Sequence, residues 1–392
     1  IQLISYFKTK TVNKRKNFFI MARNRVIYQS EAIFVNKNAG ELDGYDQLER
    51  VQSANYSFSI NRQDINQYGQ LGKLDSIILD APTVTADVSY YVSDGFTERA
   101  LGFLLATGQT TTAKTVGGFV SGMLADGSGA NIMVLTTPEG TDADLPSRSA
   151  TGAANSAIGI GNAYVSNYSV DMSVGSIPTA SVSFDALNIT SDADGSTYAT
   201  PAIDPVNGTA EAGNVLMPTP RTGQGDVAAL RPGNITVDVS NFDSEDTLIN
   251  IGTNVDGAHI QSASLSVPMS RSTLERLGSR SAFARTVDFP IVASLSVSAI
   301  VNEVEAANLA DIIDDESEKT ITLTMKEDSG ATGIIYTLKG CSLDSESISS
   351  SIGSNKTVDL TFSTSVGGPG DTSHGVFMSG SSSTPLNGAF AD

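Results

Sequence analysis

The chain has 392 residues, enough for two or more ordinary hydrophobic cores, since single domains most often hold roughly 100 to 150 residues. Its formal net charge is −19, and the first twenty residues hold five basic side chains and no acid, so the remainder is more acidic still. Such a surface repels phosphates and argues against a protein that binds nucleic acid by electrostatic attraction.

The cysteine count and the hydrophobicity further limit the classes of protein to which the chain could belong. The single Cys341 excludes an internal disulfide and a cysteine-cluster metal site. No apolar run approaches the roughly 20 residues of a membrane-spanning helix. The residues are 40% hydrophobic but only 7% aromatic, which favours many short strands joined by tight turns. We therefore expect a mainly β protein without a membrane partner.

Residues 1–20 place their basic cluster after the apolar residues, the reverse of a secretory signal. We expect a non-native or disordered extension here, with Met21 as the natural start. The alternative is an ordered basic arm. The segment lacks clear periodicity, and this favours the extension.

A repeat dominates the rest of the chain. The segment from Gln52 to Arg62 recurs without a gap 209 positions later, from Gln261 to Arg271. Apolar residues alternate with small polar ones in both copies, the pattern of a half-buried strand. The matching apolar residues are Ala54, Tyr56, Phe58 and Ile60 in the first copy and Ala263, Leu265, Val267 and Met269 in the second.

Each repeated strand leads into a long loop and a returning strand. A second alternating run covers residues 84–90 in the first copy and 293–299 in the second, so each pair predicts a hairpin with a long tip. At each tip, apolar residues three positions apart precede a glycine, which predicts a helical turn closed by Gly69 or Gly278. Residues 96–106 and 304–313 follow with helical apolar spacing and predict one helix per copy.

A second hairpin closes each copy. Alternating apolar residues run through 164–188 in the first copy and through 348–362 in the second, now 178 positions apart. The first copy is therefore longer between its hairpins, and residues 136–162 are the predicted inserted loop. We expect a first tube-like domain at 21–189, a Pro/Gly-rich linker at 190–225, a second domain at 226–364 and a flexible tail at 365–392.

Few residues could carry chemistry. The only histidines are His259 and His374, so a histidine-based catalytic or metal-binding trio is not available. The segment that begins at Asp192 resembles a calcium-binding loop in its alternating side-chain oxygens. Its twelfth position, where the last oxygen ligand belongs, is Ile203. We predict no catalytic, cofactor-binding or metal-binding residue, and hence a protein that is not an enzyme.

The predicted strands leave long open sheet edges, which would cause aggregation unless identical neighbours paired with them in a ring. The hairpins at residues 52–93 and 164–188 resemble the two inner hairpins of phage tail tube proteins. The resemblance extends over about residues 23–363. It implies two tandem copies of a tail-tube-like β-sandwich or half-barrel, each with two long hairpins and one flanking α-helix.

Tubes of this family are commonly hexameric rings of single-copy subunits, so two copies per chain imply a trimeric ring with pseudo-sixfold symmetry. The implied function is a structural subunit of a hollow conduit through which DNA passes without binding. The implied partners are the chain itself and other tail proteins, namely tape measure, tail terminator and baseplate or tip. The implied location is the virion, after assembly in the host cytoplasm.

The long hairpin tips are the implied contacts to neighbouring subunits and to the next ring. Arg62 and Arg271 could pair there with acids of a neighbour, or could be ordinary solvated charges. The predicted contact residues are Arg62, Ile65, Tyr68, Gly69, Leu71, Arg271, Leu274, Leu277, Gly278 and Arg280.

Two other functions remain open. A bacterial surface-layer or adhesin-type protein of tandem β-sandwiches would also explain the acidity, the Ser/Thr richness and the lack of chemistry. A polysaccharide-cleaving enzyme is the third candidate, but no carboxylate pair accompanies aromatic sugar platforms.

Overall fold

The structure is a computed structural model of the whole chain. It describes residues 31–36, 42, 44–79, 82–107, 129–137, 143, 156–192, 197–204, 207–216, 230, 232–240, 258–278, 282, 284–301, 318–327, 330–367 and 371–382. The predicted extension at 1–20, the second predicted helix at 304–313 and Arg280 lie outside the described residues.

The described part of the chain is mainly β, as predicted, and most of its strands are antiparallel. Those of the first half are β1 (Glu31–Asn36), β2 (Asp46–Gln47), β3 (Val51–Ser59), β4 (Arg62–Ile65), β5 (Asp75–Ile78), β6 (Thr83–Tyr91), β7 (Leu105–Thr107), β8 (Ala130–Thr136), β9 (Ser156–Ser173), β10 (Thr179–Ala186) and β11 (Asn188–Asp192). One short helix, α1 (Phe96–Ala100), lies between β6 and β7.

Short strands between the halves are β12 (Thr197–Ala199), β13 (Ile203–Asp204), β14 (Thr209–Ala210) and β15 (Asn214–Leu216). Those of the second half are β16 (Ile235–Ser240), β17 (Ala258–Pro268), β18 (Arg271–Leu274), β19 (Ala284–Val287), β20 (Ile291–Val301), β21 (Lys319–Lys326), β22 (Thr332–Ser349), β23 (Thr357–Val366) and β24 (Gly375–Gly380). A single 3₁₀ turn, Pro232–Asn234, precedes β16.

Eight strands form one continuous antiparallel surface, which we name the central sheet. Their order is β22-β23-β20-β17-β9-β10-β6-β3. The first half contributes the order β3-β6-β10-β9 and the second half the equivalent order β17-β20-β23-β22. In each half, the first hairpin lies beside the returning strand of the second hairpin. The two halves meet where β17 pairs with β9.

Two smaller outer layers pack on one face of the central sheet. In the first, β1, β8, the first part of β9 and β11 lie side by side, and in the second β16, β21, the first part of β22 and β24 do so. The long strands β9 and β22 thus belong to both layers. Their alternating apolar residues close one hydrophobic core that runs through both halves, because each layer supplies one apolar face.

Irregular positions recur at equivalent places in the two halves. Gln52 and Gln261 are each the extra residue of a bulge, and each donates Nε2 to the backbone oxygen two residues earlier. Ser166 and Asp344 are likewise the extra residues in β9 and β22. Asn162 and Gly340, again 178 positions apart, share the positive φ that bends each long strand between its layers.

Several sequence predictions differ from the structure. The helix predicted for 96–106 ends at Ala100, because Leu105–Thr107 pairs with β24 as a parallel strand instead. The predicted helical turns at the tips are wrong, since β4 pairs with β5 and β18 with β19 as small hairpins. Gly69 and Gly278 do take positive φ there, but in the turns of these hairpins.

The predicted loop, linker and tail are also more ordered than expected. Strand β9 begins at Ser156, inside the loop predicted for 136–162, and its residues 156–160 pair with β8. The start of the predicted linker forms β11, which extends the first outer layer. The predicted flexible tail contains β24, which extends the second outer layer at the same place.

Candidate functional site: a polar sheet face and two open sheet edges

The face of the central sheet that points away from the core is almost wholly polar, and we name it the polar face. One serine from each of the eight strands lies on it in a single row of directly paired residues. In order across the sheet these are Ser53, Ser89, Ser181, Ser169, Ser266, Ser294, Ser363 and Ser342. Because strand residues alternate between faces, the same register that buries the apolar residues exposes these hydroxyls.

Carboxylates stand among the hydroxyls of the polar face. Ser183 and Ser264 each donate Oγ to an aspartate on the adjacent strand, Asp87 and Asp171, at 2.6 Å. Ser363 donates to Asp344 at 2.9 Å in the same way. These cross-strand bonds hold short side chains flat against the sheet, which leaves a smooth and hydrated surface.

Positive charge is missing from this surface as far as the structure describes it. The residues 51–59, 83–91, 167–173, 179–186, 258–268, 291–301, 342–349 and 357–366 include several aspartates but no lysine or arginine. A DNA strand beside these strands would meet polar groups and negative charge, but no lysine or arginine. Without cations to replace its counterions, DNA gains no electrostatic affinity there.

Both ends of the central sheet are open as far as the described residues show. Among the described strands, β3 pairs only with β6, and residues 342–349 of β22 pair only with β23. Large apolar side chains are exposed at both ends: Phe58 on β3 is 59% exposed and Ile348 on β22 is 39% exposed. Open and partly apolar edges of this kind invite a further strand.

The hairpin tips hold the contact residues predicted from the sequence. Tyr68, Leu71 and Leu277 are fully exposed at relative accessibilities of 104%, 110% and 104%, and Ile65 and Leu274 are exposed beside them. Gly69 and Gly278 occupy the left-handed region at φ 87° and 88°, where side chains are strained. The structure therefore places these residues on two exposed hairpin tips, one per half.

The two predicted arginines differ. Arg62 is exposed at the start of β4. Arg271 instead lies over the ring of Tyr164, with its Cζ 5.2 Å from the ring centroid, and donates Nε to the Val165 oxygen at 3.4 Å. Burial lowers the pKa of Arg271, an effect that Tyr164 partly offsets. Arg271 thus contacts the first half of its own chain, and its pairing with an acid of a neighbour stays a prediction.

A buried polar cluster lies beneath the junction of β17 and β9. Tyr90 and Tyr168 donate their hydroxyls to Glu98 Oε1 at 3.0 and 3.4 Å, and the hydroxyls of Tyr168 and Tyr336 are 2.8 Å apart. All four side chains are fully buried, and burial raises the pKa of Glu98 to about 7. The cluster joins α1 and both halves, and its burial gives it a structural role.

No protein-family model and no curated protein matches this sequence. The residues that the structure describes contain no group of His, Cys, Asp and Glu placed to hold a metal ion. Within the same residues, no helix is long and apolar enough to cross a membrane.

Sequence reasoning did not single out the polar face. Its signal was present, because Ser, Thr and Asp alternate with the apolar residues of all eight strands. That alternation establishes only that one face is solvated. The alignment of eight serines in one row depends on the register between strands, which the sequence of each strand does not contain.

Proposed function

We propose that this chain is the structural subunit of a phage tail tube, in which the polar face lines the channel. The observation that carries the proposal is the polar face itself: eight strands wide, hydroxyl-rich, partly acidic and free of lysine and arginine, on a sheet with two open edges. A channel wall of this kind lets DNA slide because it offers phosphates no cation.

The proposal includes a tandem duplication of one tube domain. It is supported by the shared strand order of the two halves, by the bulges at Gln52 and Gln261, and by those at Ser166 and Asp344. A common ancestor for both halves would account for irregularities at equivalent positions. One flanking helix per copy remains part of the proposal, with α1 as its first member.

Three chains per ring follow from the duplication. They supply twenty-four strands, and a closed sheet of that size is about 40 Å across at strand spacings of about 4.8 Å. This exceeds the 16- to 18-stranded barrels that already hold an aqueous channel. The exposed tips at Tyr68 and Leu277 then contact the next ring. Tape measure, tail terminator and baseplate or tip proteins complete a tail built in the host cytoplasm.

Electron microscopy of the purified protein tests the proposal. We expect hollow tubes of uniform width whose rings hold three chains. Dispersed monomers at high concentration, or flat two-dimensional lattices as a surface-layer protein forms, contradict it, and six chains per ring contradict the trimer. Phe58→Lys places a charge on an open edge and should abolish the tubes, whereas Thr209→Lys, on an exposed hairpin between the halves, should leave them intact.

A further inference from the structure

We propose that the ring closes through one defined joint, in which β3 of one chain pairs with residues 345–350, at the end of β22, in a second copy. The joint adopts the register that β17 and β9 already have inside the chain. This inference rests on the proposed ring. It adds the identity of the paired strands and the residues that face each other across them.

The internal joint is the template. Strands β17 and β9 are antiparallel, with Leu265 opposite Val170. Two further hydrogen bonds extend the ladder at its ends: Met269 N donates to Ser166 O at 2.8 Å and Val174 N donates to Gln261 O at 2.9 Å. The joint is therefore paired over its whole length.

The open edges are equivalent to the two strands of this joint. Strand β3 matches β17 at an offset of 209, with its bulge at Gln52 in place of Gln261. The inner part of β22 matches that of β9 at an offset of 178, with its bulge at Asp344 in place of Ser166. Subtracting 209 from each β17 residue and adding 178 to each β9 residue therefore converts every internal pair into a pair between chains.

The resulting register places only polar residues on the channel side. On the core side it places the apolar Ala54, Tyr56, Phe58 and Ile348 together with the polar Ser350 and Glu346. Its pairs, with the β3 residue first, are Ala54–Ser350, Asn55–Ser349, Tyr56–Ile348, Ser57–Ser347, Phe58–Glu346 and Ser59–Ser345. The Ser57–Ser347 and Asn55–Ser349 pairs continue the hydroxyl-rich polar face without a break.

Exposure of the open edges fits this joint. Leu265 and Val267 are fully buried in the internal joint, whereas their equivalents on β3 are the half-buried Tyr56 and the exposed Phe58. Val170 is also fully buried, and its equivalent on β22 is the exposed Ile348. The apolar residues that the single chain leaves in water are those that a second copy would cover.

A disulfide between chains tests the register. In the internal joint Ser264 and Asp171 form a non-hydrogen-bonded pair, because the ladder bonds belong to the alternate residues. Such pairs bring Cα atoms to about 4.5 Å, within the range that a disulfide spans. The double variant Asn55→Cys with Ser349→Cys should therefore form interchain disulfides on oxidation. Both residues are exposed in the single chain, so the substitutions leave the core packing unchanged.

Two control variants retain the buried Cys341, as the test variant does. Ser264→Cys with Asp171→Cys should close within one chain and leave a monomer on a denaturing gel. Ser53→Cys with Ser347→Cys is displaced by four residues, roughly 13 Å, and should not cross-link. In the test variant we expect a ladder that ends at three chains, with at least tenfold more cross-linked product than in the displaced pair.

The outcomes separate the joint from the tube. Interchain disulfides in the matched pair support the register. Tubes that form normally while the matched pair stays reduced, or while only the displaced pair cross-links, overturn the joint and leave the proposed function standing. A protein that forms neither tubes nor disulfides overturns both.

Discussion

The hydroxyl of Tyr168 lies 2.8 Å from that of Tyr336 in the middle of the hydrophobic core. Tyr168 belongs to β9 of the first half and Tyr336 to β22 of the second, so this hydrogen bond connects the two halves below their joint. Glu98 accepts a hydrogen bond from Tyr168 in turn, which anchors α1 to the same place. The halves are thus held by a shared polar cluster as well as by strand pairing.

Removing either hydroxyl should destabilise the chain. We expect Tyr168→Phe or Tyr336→Phe to lower the free energy of unfolding by about 1 to 2 kcal/mol, because the remaining buried hydroxyl loses a partner. The double variant should cost less than the sum of the single changes, since both remove the same bond. Urea unfolding of the monomer measures this, and additive effects would contradict the coupling.

Glu98 should make stability depend on pH. Its carboxyl titrates near 4.5 when unfolded and at about 7 in the buried cluster, where it faces Tyr90, Tyr168, Tyr336 and Asp94. Between these values the folded state keeps a proton that the unfolded state has lost. Stability from this group therefore falls as pH rises from about 4.5 to 7 and stays low above, by at most about 3 kcal/mol.

Glu98→Gln is the matched control for this pH dependence. The variant keeps the shape of the side chain and has no proton to lose, so the difference in unfolding free energy between the two proteins should change across this pH range. Urea unfolding at pH 5, 6, 7 and 8 measures it. A difference that is constant with pH would show that Glu98 titrates at its ordinary value.

The hairpin tips should be needed for stacking but not for folding. Tyr68→Ser with Leu71→Ser removes two side chains that are fully exposed in the single chain, so the free energy of unfolding should change by less than about 0.5 kcal/mol. Tubes should be replaced by single rings, because the proposed contact to the next ring is lost. Sedimentation and electron microscopy distinguish rings from tubes, and tubes of normal length would remove the tips from the stacking interface.

A positive charge on the polar face should create DNA affinity. Ser298→Lys adds a cation to a surface that has none among its described residues. We expect tubes of this variant to retain duplex DNA at low salt and to release it steeply as salt rises. Thr236→Lys, exposed on β16 of the outer layer, is the control. Equal DNA retention by both variants would show that the polar face is not the channel wall.

Glu346 should weaken the joint between chains. It is equivalent to Tyr168, which is buried opposite Val267 in the internal joint, and it faces Phe58 in the proposed one. Glu346→Tyr should lower the protein concentration needed for assembly about tenfold, since burying the added ring contributes on the order of 1 to 2 kcal/mol. Glu346→Gln separates the loss of charge from the gain of apolar area, and turbidity measures the threshold. An unchanged threshold for Glu346→Tyr would place that residue outside the joint.

The spacing of apolar residues predicts those parts of this fold in which it is compatible with only one secondary structure. The hairpins of β3 with β6 and of β10 with β9 follow from alternation at period two. The spacing of Ile65 and Tyr68 predicts a helical turn, but apolar residues three apart also suit a strand end followed by a turn, which is what the structure has. The Gly-rich sequence of residues 375–380 predicts flexibility, because it gives no sign of the position in the outer layer that β24 fills.

The sequence predicts two parts of the candidate site, the residues at the exposed tips and the presence of open sheet edges. The polar face and the buried cluster of Glu98 depend on contacts between distant segments, such as Tyr90 and Tyr168 with Glu98, and no local pattern encodes them. Arg271 illustrates the same limit. Its partner Tyr164 stands more than one hundred positions earlier in the chain.

The pairing of β17 with β9 within one chain also alters how a ring can assemble. Half of the seams in the proposed ring already exist when each chain has folded, so only three bodies must meet. By mass action, the yield of closed rings then varies with the third power of subunit concentration, where six separate single-domain subunits would require the sixth. Fusion of the two copies thus lets rings assemble at a low subunit concentration. It also makes the first and second halves alternate around the ring.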